Sequence, residues 1–138
     1  MSADINIKTI QSVYEAFGNG DVGAILDAVT EDVDWASDTS STAAPWYGVR
    51  HGKDQVRGFF EAFGSEMDVE QFDLVSIAGN DTDVHTVVRM KATRRSNGKS
   101  LEMNLHHYFV LDDGRISYYR GSEDSALTEA VFRDRRVR

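Results

Sequence analysis

The chain has 138 residues, of which 41% are hydrophobic and 28% charged, a composition typical of one globular domain. It has no cysteine, which excludes disulfides, thiolate nucleophiles and thiolate metal sites, and it has no apolar run near the ~20 residues that span a bilayer. Its net charge of −8 opposes phosphate backbones and anionic membranes, so we expect neither nucleic acid nor a membrane as a partner. The first residues lack the basic and apolar regions of a signal peptide, which favours a cytoplasmic protein.

The chain offers no internal domain boundary, because it holds a single proline and no Ser/Gly-rich linker. We therefore predict one domain over residues 1–132, followed by a basic tail at residues 133–138. The tail holds four arginines and one aspartate. It could be a docking arm, or it could be a solvated chain terminus.

The first half of the sequence is helical in pattern. Apolar residues recur at intervals of three and four between Ile7 and Phe17, which predicts an amphipathic helix. The turn Gly18-Asn19-Gly20 ends that helix, and Asp21 can cap a second one whose apolar stripe runs as far as Val29.

A change of pattern follows the second helix. Residues 30–32 predict a turn, and Val33 and Trp35 predict a short strand. An irregular segment from residue 36 to residue 52 is rich in Ser, Thr and Ala, and long loops in compact domains are usually functional or mobile. A Phe-rich pattern at residues 56–63 predicts a third helix.

The second half of the sequence predicts an antiparallel meander. Strands are expected at residues 67–77, 84–94, 100–111 and 116–121, with Asn97-Gly98 and Asp113-Gly114 as hairpin turns. A short closing helix is expected at residues 126–131, with Ser122 or Asp124 near its cap. Because helices precede a sheet that alternates between apolar and polar positions, we predict an α+β fold with the helices packed on one sheet face.

His107 is the most informative polar residue, because it shares the apolar face of its strand with Met103, Leu105 and Phe109. It could be a general acid/base or a hydrogen-bond donor to a ligand, or a core histidine satisfied by a carbonyl or a tyrosine. The neighbouring His106 points to the other side of the sheet, so the pair cannot chelate one metal ion. We expect no metal site.

Other candidate site residues lie in the irregular segment and beside it. Trp46 and Tyr47 could line or cover a cavity, or belong to the core. Asp34 and Asp38 could bring a carboxylate to a pocket, or lie in solvent at the end of a strand. The turn at residues 18–21 joins two helices rather than a strand and a helix, so we expect no nucleotide cofactor, and no other cofactor is indicated.

Several of these motifs together are similar to a known family. The segments Gly18-Asn19-Gly20-Asp21 between two helices, Glu31-Asp32-Val33-Asp34-Trp35, and residues 107–116 resemble the NTF2-like superfamily. The chain is most similar to its SnoaL-like polyketide cyclase and ketosteroid-isomerase-related branch. This resemblance implies a cone-shaped α+β barrel in which a curved antiparallel sheet wraps the N-terminal helices around an apolar pocket.

The resemblance also implies a homodimer, formed through the outer face of the sheet. That face would carry His85, Val87, Arg89, Lys91, Glu102, Asn104, His106 and Tyr108. Mixed charge on one face suits a self-complementary two-fold contact, and it suits plain solvent as well.

Only some of the catalytic residues of the family have a counterpart in this sequence. The base of the steroid isomerases falls on Ser37, or on Asp38 with a shift of one residue, and their protonated aspartate falls on His107. The aspartate of the SnoaL-type cyclases falls near Gly121, while their histidine falls on His107. The resemblance thus implies His107 as acid/base or oxyanion donor, with Asp38 or Asp34 as its carboxylate partner.

Two nearby acids remain open as replacements for the missing aspartate at position 121. These are Glu123 and Asp124, and Asp124 also suits a helix cap.

Three functions follow as hypotheses. The first is proton transfer on a small, enolisable, apolar molecule in an isomerase-type or cyclase-type reaction. The alternatives are a module that binds a small ligand without converting it, and a dimerisation unit with a vestigial pocket. The expected ligand-binding residues are Tyr14, Phe17, Trp35, Trp46, Tyr47, Phe59, Phe63, Val88, Met90, Met103, Leu105 and Tyr119.

Overall fold

Four helices and six strands make up residues 2–133, the part of the chain that the computed structural model describes. In chain order they are α1 (Ala3–Gly18), α2 (Val22–Asp27), β1 (Val29–Ser37), β2 (Arg50–His51), α3 (Gly52–Glu66), β3 (Met67–Gly79), β4 (Asp83–Arg94), β5 (Ser100–Asp112), β6 (Arg115–Ser122) and α4 (Ser125–Phe132). The predicted α+β class is confirmed. Of the predicted basic tail, residues 134–138 lie outside the described residues.

The turn between α1 and α2 forms as predicted from its residues. Gly20 adopts a positive φ of 70°, which a residue without a side chain reaches at no steric cost. The carboxylate of Asp21 then accepts a hydrogen bond of 3.1 Å from the amide of Ala24 and caps α2.

The predicted end of α2 is wrong. The helix stops at Asp27, Val29 already belongs to β1, and residues 30–32 are strand rather than turn. The cause is tertiary pairing, since Val29 pairs with Ile116 of β6 and is fully buried. An apolar residue at this spacing fits a helical stripe and a strand equally well, and the partner strand decides between them.

The six strands form one curved sheet in the order β2-β1-β6-β5-β4-β3. The sheet does not close, so β2 and β3 are its edges. The last four strands form the predicted meander, with antiparallel pairing between β3 and β4, β4 and β5, and β5 and β6. By contrast, β1 pairs with β6 in parallel. This pairing brings an early segment of the chain against its last strand.

The inner face of the sheet packs against α1 and α3, and the face assignments from alternation are confirmed. Most side chains predicted to face inward are buried, whereas the predicted outer residues of β4 and β5 are exposed or partly exposed. The buried inner residues of these two strands are Val84, Thr86, Val88, Met90, Ala92, Leu101, Met103, Leu105, Phe109 and Leu111. None of the helices within residues 2–133 is long and apolar enough to cross a bilayer.

A buried amide fixes the start of α1 to the hairpin between β3 and β4. The side chain of Asn6 is 0% exposed, and its Nδ2 donates to the backbone carbonyls of Asn80 at 3.2 Å and Asp81 at 3.0 Å. Without the Asn6 side chain both carbonyls would lose this partly buried donor, and the loss of such hydrogen bonds costs stability.

We therefore expect Asn6→Ala to lower the free energy of unfolding by about 1–3 kcal/mol. Urea denaturation would measure the change. Ser12→Ala is the matched control, because the Ser12 hydroxyl donates only to the carbonyl of Lys8 on its own exposed helix face. Equal effects of the two substitutions would contradict the anchoring role of Asn6.

Candidate ligand-binding site

A cavity of about 90 Å³ lies between the inner face of the sheet and the helices α1 and α3. Its wall is unusually rich in aromatic side chains, which favour flat or apolar ligands. The aromatic lining residues are Tyr14, Phe17, Trp35, Trp46, Phe59, Phe60, Phe63, Phe72, Phe109 and Tyr119. The remaining lining residues are Val13, Ile25, Ser37, Met90, Leu105, His107, Gly121, Ser122 and Glu123.

Most residues expected to bind a ligand border this cavity. They are Tyr14, Phe17, Trp35, Trp46, Phe59, Phe63, Met90, Leu105 and Tyr119. Val88 and Met103 do not line it, because both are buried in a neighbouring hydrophobic cluster. Tyr47 does not line it either, and its hydroxyl donates to Glu123.

Two of the lining aromatics that were not predicted could have been found from the sequence. Phe109 lies two residues after His107 on the same strand, so alternation places both on the inner face. Phe60 follows Phe59 in a helix, and both border the cavity because α3 presents a broad apolar face. No comparable signal marks Phe72, which lies on a strand with two register shifts.

His107 is held by a hydroxyl from α1. The Tyr14 hydroxyl lies 2.6 Å from Nδ1 of His107 and 2.5 Å from the Oγ1 of Thr86. Thr86 and His107 are direct partners across β4 and β5, so both side chains point to the same inner face. One of the two expected alternatives was a histidine whose hydrogen bonds are satisfied by a tyrosine, and this holds for Nδ1 of His107.

Hydrogen-bond counting fixes the direction of these bonds. Thr86 is buried, and within residues 2–133 its hydroxyl has no acceptor other than Tyr14. Thr86 must therefore donate to Tyr14, since otherwise its proton would be buried without a partner. The single proton of Tyr14 is then donated to Nδ1 of His107. The imidazole proton is left on Nε2, which has no hydrogen-bond partner among the described residues.

Burial keeps this group of side chains uncharged. Removal from water, together with a smaller effect of the neighbouring His106, lowers the pKa of His107 to about 3. Burial also raises the pKa of Tyr14 well above its usual range. At neutral pH His107 is thus a neutral donor through Nε2, and it is too weak a base to accept a proton.

Gly121 leaves space for a second hydroxyl beside His107. A Cβ at position 121 would lie 2.2 Å from the Tyr119 hydroxyl and 3.2 Å from Cδ2 of His107, so a side chain there would displace Tyr119. The Tyr119 ring stacks on Trp35 with 4.0 Å between ring centroids. Burial raises the pKa of Tyr119, and its hydroxyl has no hydrogen-bond partner within residues 2–133. The cavity therefore borders two neutral donors, from His107 and Tyr119.

Glu123 supplies a carboxylate to the cavity wall. Its Oε2 accepts hydrogen bonds from the hydroxyl of Tyr47 at 2.8 Å and from that of Thr128 at 2.5 Å. Tyr47 lies in the segment between β1 and β2, and Thr128 lies in α4. The carboxylate is thus positioned from two sides, while Oε1 has no hydrogen-bond partner among residues 2–133.

The two aspartates expected as carboxylate partners do not line the cavity. Asp34 faces away from it and forms an ion pair of 2.9 Å with Arg120. Asp38 borders a second cavity, whose lining joins outer residues such as His106 to His107. Strand alternation explains both positions, because Trp35 and Ser37 of β1 face inward and their neighbours Asp34 and Asp38 therefore face outward.

No three side chains of the metal-binding types His, Cys, Asp and Glu lie close enough to hold a metal ion in the described part of the chain.

Comparison with known proteins is informative about the fold. The family model described as "SnoaL-like domain" matches residues 10–119. An NTF2-like protein of unknown function from Burkholderia pseudomallei superposes with a TM-score of 0.85 at 22% identity, over 96% of this chain and 98% of that one. No curated protein matches the chain in sequence.

Two other similar structures have provisional functional names. One, from Rhodopseudomonas palustris, is provisionally called an isomerase and has a TM-score of 0.75 at 16% identity, over 89% of this chain and 93% of that one. The other, from Xanthomonas campestris, is provisionally called a polyketide cyclase and has a TM-score of 0.79 at 17% identity, over 96% of this chain and 100% of that one. At these identities the likeness establishes the fold alone.

The low pKa of His107 predicts a specific dependence of stability on pH. The unfolded chain binds a proton on this histidine below about pH 6.5, whereas the folded chain does not until about pH 3. Stability is therefore lost as the pH falls through this window, by up to about 1.4 kcal/mol per pH unit. We expect the His107→Asn variant to lose less stability on acidification than the wild type. Urea denaturation from about pH 8 to about pH 4 would measure this, and parallel curves would contradict it.

Proposed function

The chain belongs to the SnoaL-like domain family, and from that membership we propose that it binds a small, largely apolar molecule in its cavity and transfers a proton on it. The reaction would be of the isomerase or cyclase type. The observation that carries the proposal is the pair of neutral donors, His107 and Tyr119, in a cavity walled by aromatic rings. The provisional names of the structures from R. palustris and X. campestris agree with this class of reaction.

The two donors suit a reaction in which negative charge develops on oxygen. When a proton leaves the carbon beside a carbonyl group, the carbonyl oxygen becomes an enolate. Donors already aimed at that oxygen stabilise it strongly in a site with little water. The Nε2–H of His107 and the hydroxyl of Tyr119 are the donors we assign to this role. The expectation of His107 as an oxyanion donor is therefore favoured over that of a general acid/base.

The proton acceptor in this proposal is Glu123. Its carboxylate borders the cavity, and the two hydrogen bonds to Oε2 hold it in place while Oε1 remains open. Carboxylates serve as general bases when they can reach the proton directly. Glu123 thus takes the part expected of Asp34 or Asp38, whose carboxylates point to the other side of the sheet.

Binding without conversion is the second candidate function. The observation that favours it is the pKa of His107, because a histidine that stays neutral down to about pH 3 contributes no acid/base chemistry. The same cavity would then hold a ligand through its aromatic wall, with the two donors as orienting groups.

Deuterium exchange into acetophenone tests the proton-transfer proposal. The molecule pairs an aromatic ring with an enolisable methyl ketone, and NMR follows the loss of its methyl protons in D₂O. We expect the wild type to accelerate exchange, and His107→Asn or Tyr119→Phe to slow it by roughly 10²-fold each. Tyr118→Phe, on the opposite face of β6, is the matched control and should exchange at the wild-type rate. Binding of acetophenone without exchange would select the second candidate, and no binding would leave a vestigial pocket.

We also propose that two copies associate through the outer face of the sheet. The outer side chains of β4 and β5 mix both charges, and Arg89 pairs with Glu102 at 2.9 Å across the two strands. Such a face can meet its own copy across a two-fold axis, with opposite charges in register.

Sedimentation velocity measures this association. We expect a dimer at micromolar concentration, and a monomer for Val87→Asp, because Val87 lies half-buried in the middle of the face. Val49→Asp is the control, since Val49 is 58% exposed in the segment between β1 and β2. A wild-type monomer, or a dimer that tolerates Val87→Asp, would refute the interface.

A further inference from the structure

The charge of the cavity wall is negative and unbalanced. Glu123 is the single residue with a formal charge at neutral pH among the lining residues, since burial keeps His107 neutral and no Lys or Arg borders the cavity. Within residues 2–133 Glu123 forms no ion pair, and its two partners, Tyr47 and Thr128, are neutral hydroxyls. The formal negative charge of Glu123 therefore has no cationic partner on the cavity wall.

Ten aromatic side chains line the same cavity as this carboxylate. The face of an aromatic ring carries partial negative charge, so rings attract a cation placed over them, most strongly where water is excluded. Trp35 and Tyr119, which stack on each other, present such rings to the cavity, and the charge of Glu123 is felt at the hydroxyl of Tyr119. The rings and the carboxylate thus favour positive charge in the same small volume.

The charge of the whole chain acts in the same direction. Its net charge is −8, and a negative protein raises the local concentration of cations and repels anions. Neither the cavity nor the chain as a whole offers an anionic ligand a compensating charge.

From these observations we propose that the cavity binds small aromatic amines in their protonated form, with the ammonium group against Oε1 of Glu123 and the ring among the aromatic side chains. The inference uses the position of Glu123 but not its role as a base, so it goes beyond the proposed reaction. An ammonium group presents an N–H to the carboxylate where a substrate would present a C–H. Such amines should therefore also compete with acetophenone for the site.

Three fluorinated probes of nearly equal size test the proposal: 4-fluorobenzylamine, 4-fluorobenzyl alcohol and 4-fluorobenzoate. They carry charges of +1, 0 and −1 at neutral pH, and ¹⁹F NMR titration gives the affinity of each. We expect the amine to bind about tenfold more tightly than the alcohol, and the benzoate to bind most weakly. The Glu123→Gln variant should lose the preference for the amine while it keeps its affinity for the alcohol.

Glu129→Gln is the matched control for this substitution. Glu129 is also a partly buried carboxylate beside α4's inner residues, but it accepts a hydrogen bond from Ser41 and does not line the cavity. Its loss should leave the affinities for the three probes unchanged. An equal effect of both substitutions would show that general surface charge, rather than the cavity, sets the preference, and would overturn the proposal.

The remaining outcomes separate this inference from the proposed function. If the wild type binds the alcohol as tightly as the amine, the inference fails while ligand binding stands. If none of the probes binds, the inference fails as well, and deuterium exchange into acetophenone remains an independent measure of the proposed reaction. If the amine binds with the expected preference but acetophenone does not exchange its methyl protons, the inference is supported and the proposed proton transfer is refuted.

Discussion

The hydrogen bond between Tyr14 and His107 joins the first helix to the middle of the sheet, and the arrangement of the cavity depends on it. The bond fixes the proton of the imidazole on Nε2 and keeps the ring at one orientation, while the same Tyr14 oxygen accepts the hydrogen bond of the buried Thr86 hydroxyl. Burial keeps the imidazole neutral, and the hydrogen bond gives one of its nitrogens the partner that a polar group in an apolar core needs. The aromatic side chains around it complete a dry site, in which a donor of this kind has its greatest effect.

The neutrality of His107 separates the polar groups of the cavity into two kinds. On one side stand the donors from His107 and Tyr119, which are uncharged at neutral pH because burial opposes their ionisation. On the other stands Glu123, a charged acceptor held by hydroxyls from two different segments. Two donors and one acceptor on the wall of the same cavity suit a ligand that carries both an acceptor and a donor group, and this requirement is more specific than any that the fold alone sets.

Much of the architecture follows from strand alternation. The inward position of His107, Leu105 and Phe109 could be predicted because period-two patterns fix which face each side chain occupies. The same rule, applied to β1, places Trp35 on the inner face and excludes Asp34 from it. The expectation that both residues serve one pocket was therefore inconsistent with alternation in the sequence itself. The start of β1 was less predictable, because Val29 fits a helix or a strand until its partner in β6 is known.

The carboxylate of the site was harder to identify from the sequence. Glu123 lies just after β6, where no periodicity assigns a direction to its side chain, so the sequence alone does not distinguish it from Asp124. Its place in the cavity wall depends on Tyr47 and Thr128, whose contacts join segments far apart in the chain. Likewise, Tyr119 fits only because Gly121 has no side chain. The sequence shows the glycine, but it does not show which neighbouring side chain occupies the space beside it.

The parallel pairing of β1 with β6 affects how the cavity forms during folding. This pairing brings Trp35 against Tyr119, although the two residues lie 84 positions apart along the chain. Closing so long a loop lowers the conformational entropy of the chain before the stabilising contacts between its ends can form. Contacts of this kind therefore slow folding. During synthesis α1, α2, β1 and α3 leave the ribosome well before β6 exists. The aromatic surface of the future cavity is therefore uncovered for longest in the nascent chain, which makes the interval before β6 emerges the time of greatest exposure to misassociation.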